Sequence, residues 1–496
     1  MHEVLSMAAA DAQWSAWAWL SMGWTLLWRG SFALALLSVP SVLVQRRGRP
    51  QAALGWLLLL VLLPPVGLFF WWAIGRRHLI RRRRKKRRAA AAVSHTMTEL
   101  RSVLPSPPEA DWDFLPIKRL PREEAEWVFC PTTSNYAQLL VDAAEAYPAI
   151  EQAILEARHH VHLLFYIWRN DATGRHFRDL LAERANEGVQ VRLLLDAVGA
   201  SDVDDRFMSP LIAAGARVRW FQPPRLLQRS LEVNFRNHRK IVVADDRVGI
   251  LGGLNIGDEY CNDLRDTALR IEGPAVDQLQ EVFAEDWYFA SDEDFADTDY
   301  FGQWRDSPHP PRGHAAVCGI IPSGPHTEYN FTHEAFFIAL NRAEKRIWIT
   351  TPYFIPDQTI VAALRTAVFR GVDVRLLVPE RSDHLLVDWA SRSFYPVLLQ
   401  AGVRIFHHSD GLMHAKTILL DDDLSIIGSA NLDLRSFRLN FEISCFVEST
   451  ALAGELQALF ERFAVDSREI SWEEIERASP VYRVLEAAAH LLSPLL

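Results

Sequence analysis

Hydrophobic positions along this chain fall into two kinds of pattern, one continuous and one periodic. Ala52 to Ile74 is an uncharged stretch of 23 residues with LLLLVLLPPVGLFFWW at its heart and no polar face. About 20 apolar residues cross a bilayer as a helix, so the run predicts a spanning helix, kinked at Pro64, Pro65 and Gly67. Trp71 and Trp72 stand near its end, where an aromatic belt is expected. Upstream, Trp14 to Val44 is uncharged except for Arg29. A second spanning helix is expected over about 22–44, with Arg29 snorkelling to the interface or facing its partner. Together the two runs predict an N-terminal transmembrane helical hairpin.

From about residue 125 the pattern becomes periodic, and it occurs twice. GVQVRLLLDA (188–197) returns as GVDVRLLVPE (371–380), and LIAAGARVRWF (211–221) as LLQAGVRIFHH (398–408). NHRKIVVADDRVGILGGLNI (237–256) returns as MHAKTILLDDDLSIIGSANL (413–432), with the order of segments kept. Repetition of this kind marks a duplication. Each half reads as strand, helix, strand, helix and a tight hairpin, which predicts α/β layers with a largely parallel sheet. The acidic and then proline-rich stretch 291–313 separates the halves. The expected organisation is a membrane anchor over 1–88, a linker over 89–124, and catalytic halves over 125–305 and 306–496. The halves are expected to pack face to face about a pseudo-two-fold axis, so that a shared site receives one copy of each motif.

Charge sharpens this division. Residues 1–100 carry 14 Lys/Arg and 3 Asp/Glu, a net +11, while the whole chain carries −9, so the remainder sums to −20. Ten of those cations lie between Arg76 and Arg88, directly after the apolar run, against three in QRRGRP between the two runs. The heavier flank is expected on the cytoplasmic side, with both termini inside, and can hold anionic lipid. An acidic folded region disfavours nucleic acid as partner, because sequence-independent binders carry their positive charge there. Four scattered cysteines (Cys130, Cys261, Cys318, Cys445) fit reduced thiols rather than a disulfide framework or a zinc site.

The last unit of each repeat carries the chemistry. Both copies spell H-x-K-x4-D-x6-G-[GS]-x-N: His238, Lys240, Asp245, Gly252, Gly253 and Asn255, then His414, Lys416, Asp421, Gly428, Ser429 and Asn431. On a strand, residues two apart share a face, so each His and Lys point together. Asp245 and Asp421 complete the candidate catalytic motif, but they sit at an odd offset in a turn and are expected to act structurally. Asn255 and Asn431 are the candidate phosphate donors, brought close by the glycines. One imidazole can attack phosphorus while the other protonates the leaving alkoxide and later deprotonates the incoming alcohol. Asp266 and Glu442, each 28 residues beyond a motif histidine, are the candidate orienting carboxylates. His159, His160, His162, His384, His407 and His408 lack such partners and are given no role.

These residues resemble the phospholipase D superfamily, whose signature is this duplicated motif, and over nearly the whole chain they narrow to bacterial cardiolipin synthases. PPVGLFFWWAIGRRHL, FYIWRND (165–171), LRIEGPAV (269–276), TTPYFIP (350–356), GSANLDLRSFRLNFE (428–442) and the closing LLSPLL carry the likeness. Gly253 replaces a serine common elsewhere in the superfamily. The resemblance implies a phospholipase D-like α/β sandwich duplicated about a pseudo-two-fold axis. It also implies phosphatidyl transfer between two phosphatidylglycerol molecules, His238 as nucleophile, His414 as acid/base, and neither metal nor organic cofactor. A hydrolase passing the phosphatidyl group to water, or a transferase with another acceptor, shares the same residues. A nuclease is disfavoured by the anchor and the acidic halves, and a vestigial scaffold by two complete motifs.

Overall fold

A computed structural model describes residues 2–47, 50–75, 80–103, 106–112, 128–222, 235–295, 300–306, 311–325, 331–382 and 384–492. It divides into two compact units after Arg82.

The first unit opens with the helix His2–Gln45, within which Ser21–Gln45 is long and apolar enough to cross a membrane. The second apolar run does not form the single spanning helix its composition predicts. It makes a 13-residue helix, Pro50–Leu62, then a break at Leu63 and a short helix, Pro64–Phe70. Thirteen residues rise only ~20 Å, against a hydrocarbon core of ~30 Å. Leu63 precedes a proline and leaves the helical region (φ −133°, ψ 65°), while Pro64 starts the next helix without needing an N–H partner. The chain then folds back on itself. A Cβ on Gly67 would lie 2.6 Å from the Leu59 carbonyl oxygen, so only glycine permits the approach. Trp71 is fully buried against Trp56 rather than placed in a lipid-facing belt.

The second unit begins earlier than the charge pattern suggests. The basic run is helical over Ile80–Val103. Lys86 is buried and bonds Asp286 at 2.6 Å, and Ala89, Val93 and Met97 join the central core. Residues 89–103 therefore pack as part of the second unit, and a cut at residue 88 would fall inside this helix.

Both halves contribute to one continuous fifteen-stranded sheet. In the first half, His160–Phe165, Gln190–Asp196 and Arg217–Phe221 run parallel, joined through helices. The remaining pairings of that half within this sheet are antiparallel, from Ile241–Ala244 and Val248–Gly252 to Thr267–Glu272 and Thr132–Val141. The sheet is thus mixed rather than largely parallel, because the motif hairpin and the strand after it return without crossover helices. The second half repeats the order, and the halves join where Thr132–Val141 pairs antiparallel with His314–Ser323. They also share a core: Leu251 and Leu269 cluster with Ile427 and Ile443. Outer cores then bury each sheet face against its own helices, Ala172–Asn186 among those of the first half and Gln358–Phe369 among those of the second.

Candidate active site

Each motif strand emerges from the all-buried hairpin IVVA or TILL, whose turn places Asp245 and Asp421 at φ 53°. Aspartate tolerates this left-handed conformation better than most residues. The Asp245 carboxylate accepts the N–H groups of Arg158, His159 and His160 at 2.7–2.8 Å. Asp421 does the same for Glu344, Lys345 and Arg346, with Lys345 at 2.7 Å. Both motif aspartates therefore brace the entry of the neighbouring strand and touch neither histidine.

The histidines are organised across the two halves. Asn237 bridges Phe441 in parallel, and His238 N–H donates to the Phe441 carbonyl at 2.9 Å. This register sets His238 beside the next residue, Glu442. Met413 pairs with Arg265 in the mirrored arrangement, which sets His414 beside Asp266. Nδ1 of His238 meets Glu442 Oε2 at 3.0 Å, and Nδ1 of His414 meets Asp266 Oδ2 at 2.5 Å. The carboxylate 28 residues beyond each histidine serves the histidine of the other half. Sequence spacing found both carboxylates; the exchange needs the register.

Each carboxylate is fully buried and differently dressed. Glu442 also accepts from Ser429 Oγ (2.6 Å), Asn440 Nδ2 (3.0 Å) and Ser436 Oγ (3.2 Å). Asp266 accepts from the Thr267 N–H at 2.7 Å, with Lys416 Nζ at 4.0 Å. Burial works to raise both acids, but His238 and Lys240 hold Glu442 below its ordinary value, and Lys416 and His414 do so for Asp266. Both therefore stay ionised. Burial is the largest influence on the cations too: it takes His238 down to about 4 and Lys240 down to about 7, against the opposing pull of Glu442. His414 is also lowered, by burial and by Lys416, with Asp266 opposing. Both lysines fold back on the motif backbone, Lys240 Nζ donating to the His238 carbonyl at 2.6 Å and Lys416 Nζ to that of His414.

The expected phosphate donors are engaged elsewhere. Asn255 donates to Tyr260 Oη at 2.6 Å and accepts from Ile167 N–H at 2.9 Å, and Asn431 donates to Asp433. The glycines bring a different group close. A side chain at Gly252 would meet the Thr267 carbonyl, and one at Gly253 would collide with the Asp266 carboxylate itself.

Sequence reasoning missed the support behind the first motif. Arg239, almost fully buried, donates to the Glu442 carbonyl (3.0 Å), to the Ser323 carbonyl (2.9 Å) and to Asp286 (2.6 Å). Asp196 accepts from Asn237 N–H at 2.9 Å, and the Tyr166 ring stands edge-on to His238 at 4.9 Å. The one signal available was the contrast of H-R-K with H-A-K in the otherwise matching motifs.

Two carboxylate-held imidazoles, each with a lysine, between duplicated halves define a phospholipase D-like enzyme. The family model described as "Cardiolipin synthase, PLD-like domain" matches residues 150–287 and 336–464, and the chain belongs to that family. It is 39% identical to the cardiolipin synthase of Halalkalibacterium halodurans over 73% of each chain. It is 36% identical to the major cardiolipin synthase of Bacillus subtilis, over 74% of this chain and 76% of that one. The phosphatidylserine synthase structure from Haemophilus influenzae shares the fold at a TM-score of 0.56 and 17% identity, covering 73% of this chain and 95% of that one.

Proposed function

We propose that this phosphatidyltransferase joins two phosphatidylglycerol molecules into cardiolipin and glycerol through a phosphohistidine on His238. The observation that carries the reading is the pair of imidazoles, each pinned at Nδ1 by a carboxylate of the opposite half, which leaves both Nε2 atoms free for the substrate. His238, held to about 4, is the neutral free base at physiological pH and suits attack on phosphorus. His414 makes the shorter carboxylate contact, where Asp266 opposes the lowering by burial and Lys416, and it suits the acid/base.

In the first step His238 Nε2 bonds phosphorus as the P–O bond to the departing glycerol breaks, and the His414 proton goes to that alkoxide. In the second, a hydroxyl of the other lipid loses its proton to His414 and displaces His238. Lys240 and Lys416, beside the two histidines, offset charge on the equatorial oxygens once substrate draws them from the backbone carbonyls. The apolar helix Ser21–Gln45 holds the enzyme at the bilayer that contains both substrates, and the heavy basic flank favours a cytoplasmic site.

Mass spectrometry of lipids made from phosphatidylglycerol vesicles tests the reading. Cardiolipin and free glycerol are expected. Phosphatidic acid as the main product would mean that water is the acceptor.

A further inference from the structure

The C-terminal helix Pro480–Leu492 is mounted inside out. An amphipathic surface helix normally turns its apolar stripe to the protein and its polar side to water. Here the polar side faces in: Glu486 accepts from Arg392 Nε at 3.1 Å, and His490 Nδ1 meets Ser393 Oγ at 3.0 Å with its ring against Phe394. Ala489, between them, is buried. The apolar side faces out, with Val481 and Val484 each 67% exposed and Leu491 80% exposed. The neighbouring helix Leu385–Arg392 adds Leu385, 61% exposed, and Leu386. Arg483 is the one fully charged side chain of the C-terminal helix besides Glu486, and it donates to the Ile475 and Glu476 carbonyls.

We propose that these two helices dock the catalytic unit onto the lipid surface by inserting Leu385, Leu386, Val481, Val484 and Leu491 among the acyl chains. Half-buried ion-pair and hydrogen-bond partners fix the helix in this orientation, so the exposed stripe is a built feature of the surface. Its charge-poor outer side selects an apolar medium over an acidic or basic partner, and its shape is that of a helix lying in the interface plane. Location agrees. Beneath the two helices lies a cavity of about 510 Å³ whose wall includes Pro352, Trp389 and Tyr482. Pro352 follows the strand that ends at Thr350, opposite Thr417, the residue after Lys416. The docking face therefore opens at the histidine end of the second-half sheet. The choice of lipid as partner rests on the function proposed above; the test does not.

Full-length protein in vesicles of phosphatidylcholine and phosphatidylglycerol is labelled with a polarity-sensitive dye at Val484→Cys, in a Cys261→Ser background. A label at Asp179→Cys, on an exposed first-half position, is the control. The Val484 label is expected to shift to the blue and to be quenched by lipids carrying a nitroxide on the acyl chain, while the Asp179 label is not. Val484→Asp with Leu491→Asp is expected to lower turnover on vesicle lipid by about tenfold or more, with turnover on monomeric short-chain phosphatidylglycerol retained. Equal, water-like spectra at both positions would overturn the proposal. So would a cross-link between position 484 of two copies without lipid quenching, which would assign the face to self-association. Because the dye reads lipid contact and not product, an enzyme that used water as acceptor would give the same quenching.

Discussion

The two half-sites share a backbone and differ in how they are filled. On one side Ser429 reaches the longer acid, Glu442, which collects three side-chain donors besides His238. On the other side Gly253 leaves the space that the shorter acid, Asp266, occupies, and the carboxylate sits closer to His414. Behind His238 lies Arg239 with Asp286 and Lys86; the corresponding residue behind His414 is Ala415. Equivalent positions have thus been tuned to unequal tasks. A carboxylate spread over several donors has less to give its imidazole, whereas Asp266, with the Thr267 N–H as its one other close donor, opposes the lowering of His414 by burial and Lys416.

The histidines themselves break the comparison most sharply. His238→Ala removes the proposed nucleophile, and overall turnover is expected to fall by at least about 10⁴-fold with no covalent adduct. His414→Ala should turn over as poorly on natural lipid. With a substrate bearing a good leaving group, however, it should accumulate a phosphatidyl group on His238, visible in the peptide mass after alkaline handling. An adduct on His414 in His238→Ala would show the roles exchanged.

The carboxylates come next. Glu442→Gln and Asp266→Asn are each expected to cost about 10²–10⁴-fold in turnover, as loss of the orienting charge does in comparable sites. Each should impair the histidine of the opposite half: Glu442→Gln should slow adduct formation, and Asp266→Asn its resolution in burst kinetics. The pH profile refines this. His238 is free base above about 4 and Lys240 is charged below about 7, so kcat/KM is expected to rise through the first value and fall through the second. Lys240→Arg, which cannot lose its proton in that range, should remove the Lys240 contribution to the alkaline limb and leave that of His414.

Behind the first motif, Lys86→Met leaves Asp286 with one cation fewer in a dry site. Breaking a buried pair costs about 3–5 kcal/mol, here partly offset by Arg239, so a clear fall in Tm is expected with little change in the pH profile. By the same reasoning, removal of residues 1–82 should leave the catalytic unit folded, and removal of 1–103 should not. The smallest effects lie in exchanging the floor residues. Gly253→Ser must move Asp266 and should cost more than Ser429→Gly, which opens no clash and removes the hydroxyl's bonds to Glu442 and the Ile443 N–H.

Much of this was legible along the chain, for identifiable reasons. The duplicated H-x-K motif, its turn aspartates and both carboxylates are written in residue types and spacings, because hairpins and strand faces are local. The exchange of carboxylates is not, since it depends on Asn237 finding Phe441 and Met413 finding Arg265, each in the other half. Lys86 reads as juxtamembrane charge because its partner, Asp286, is 200 residues away. Pro64 and Pro65 announce a kink, but the fold-back depends on Gly67 meeting the Leu59 backbone, which hydropathy does not contain.

The crossed pairing also carries a history. A site in which each half lends its acid to the other's base is what two identical chains make when they meet about a two-fold axis: residue i touches j, and j touches i. An ancestor of half this length would have been inert as a monomer and competent as a homodimer. Fusion of two such genes freed the copies from having to be identical. With both acids and both bases in one chain, matching positions are free to differ, as Arg239 and Ala415 do, and the two sides of the site need not be equal.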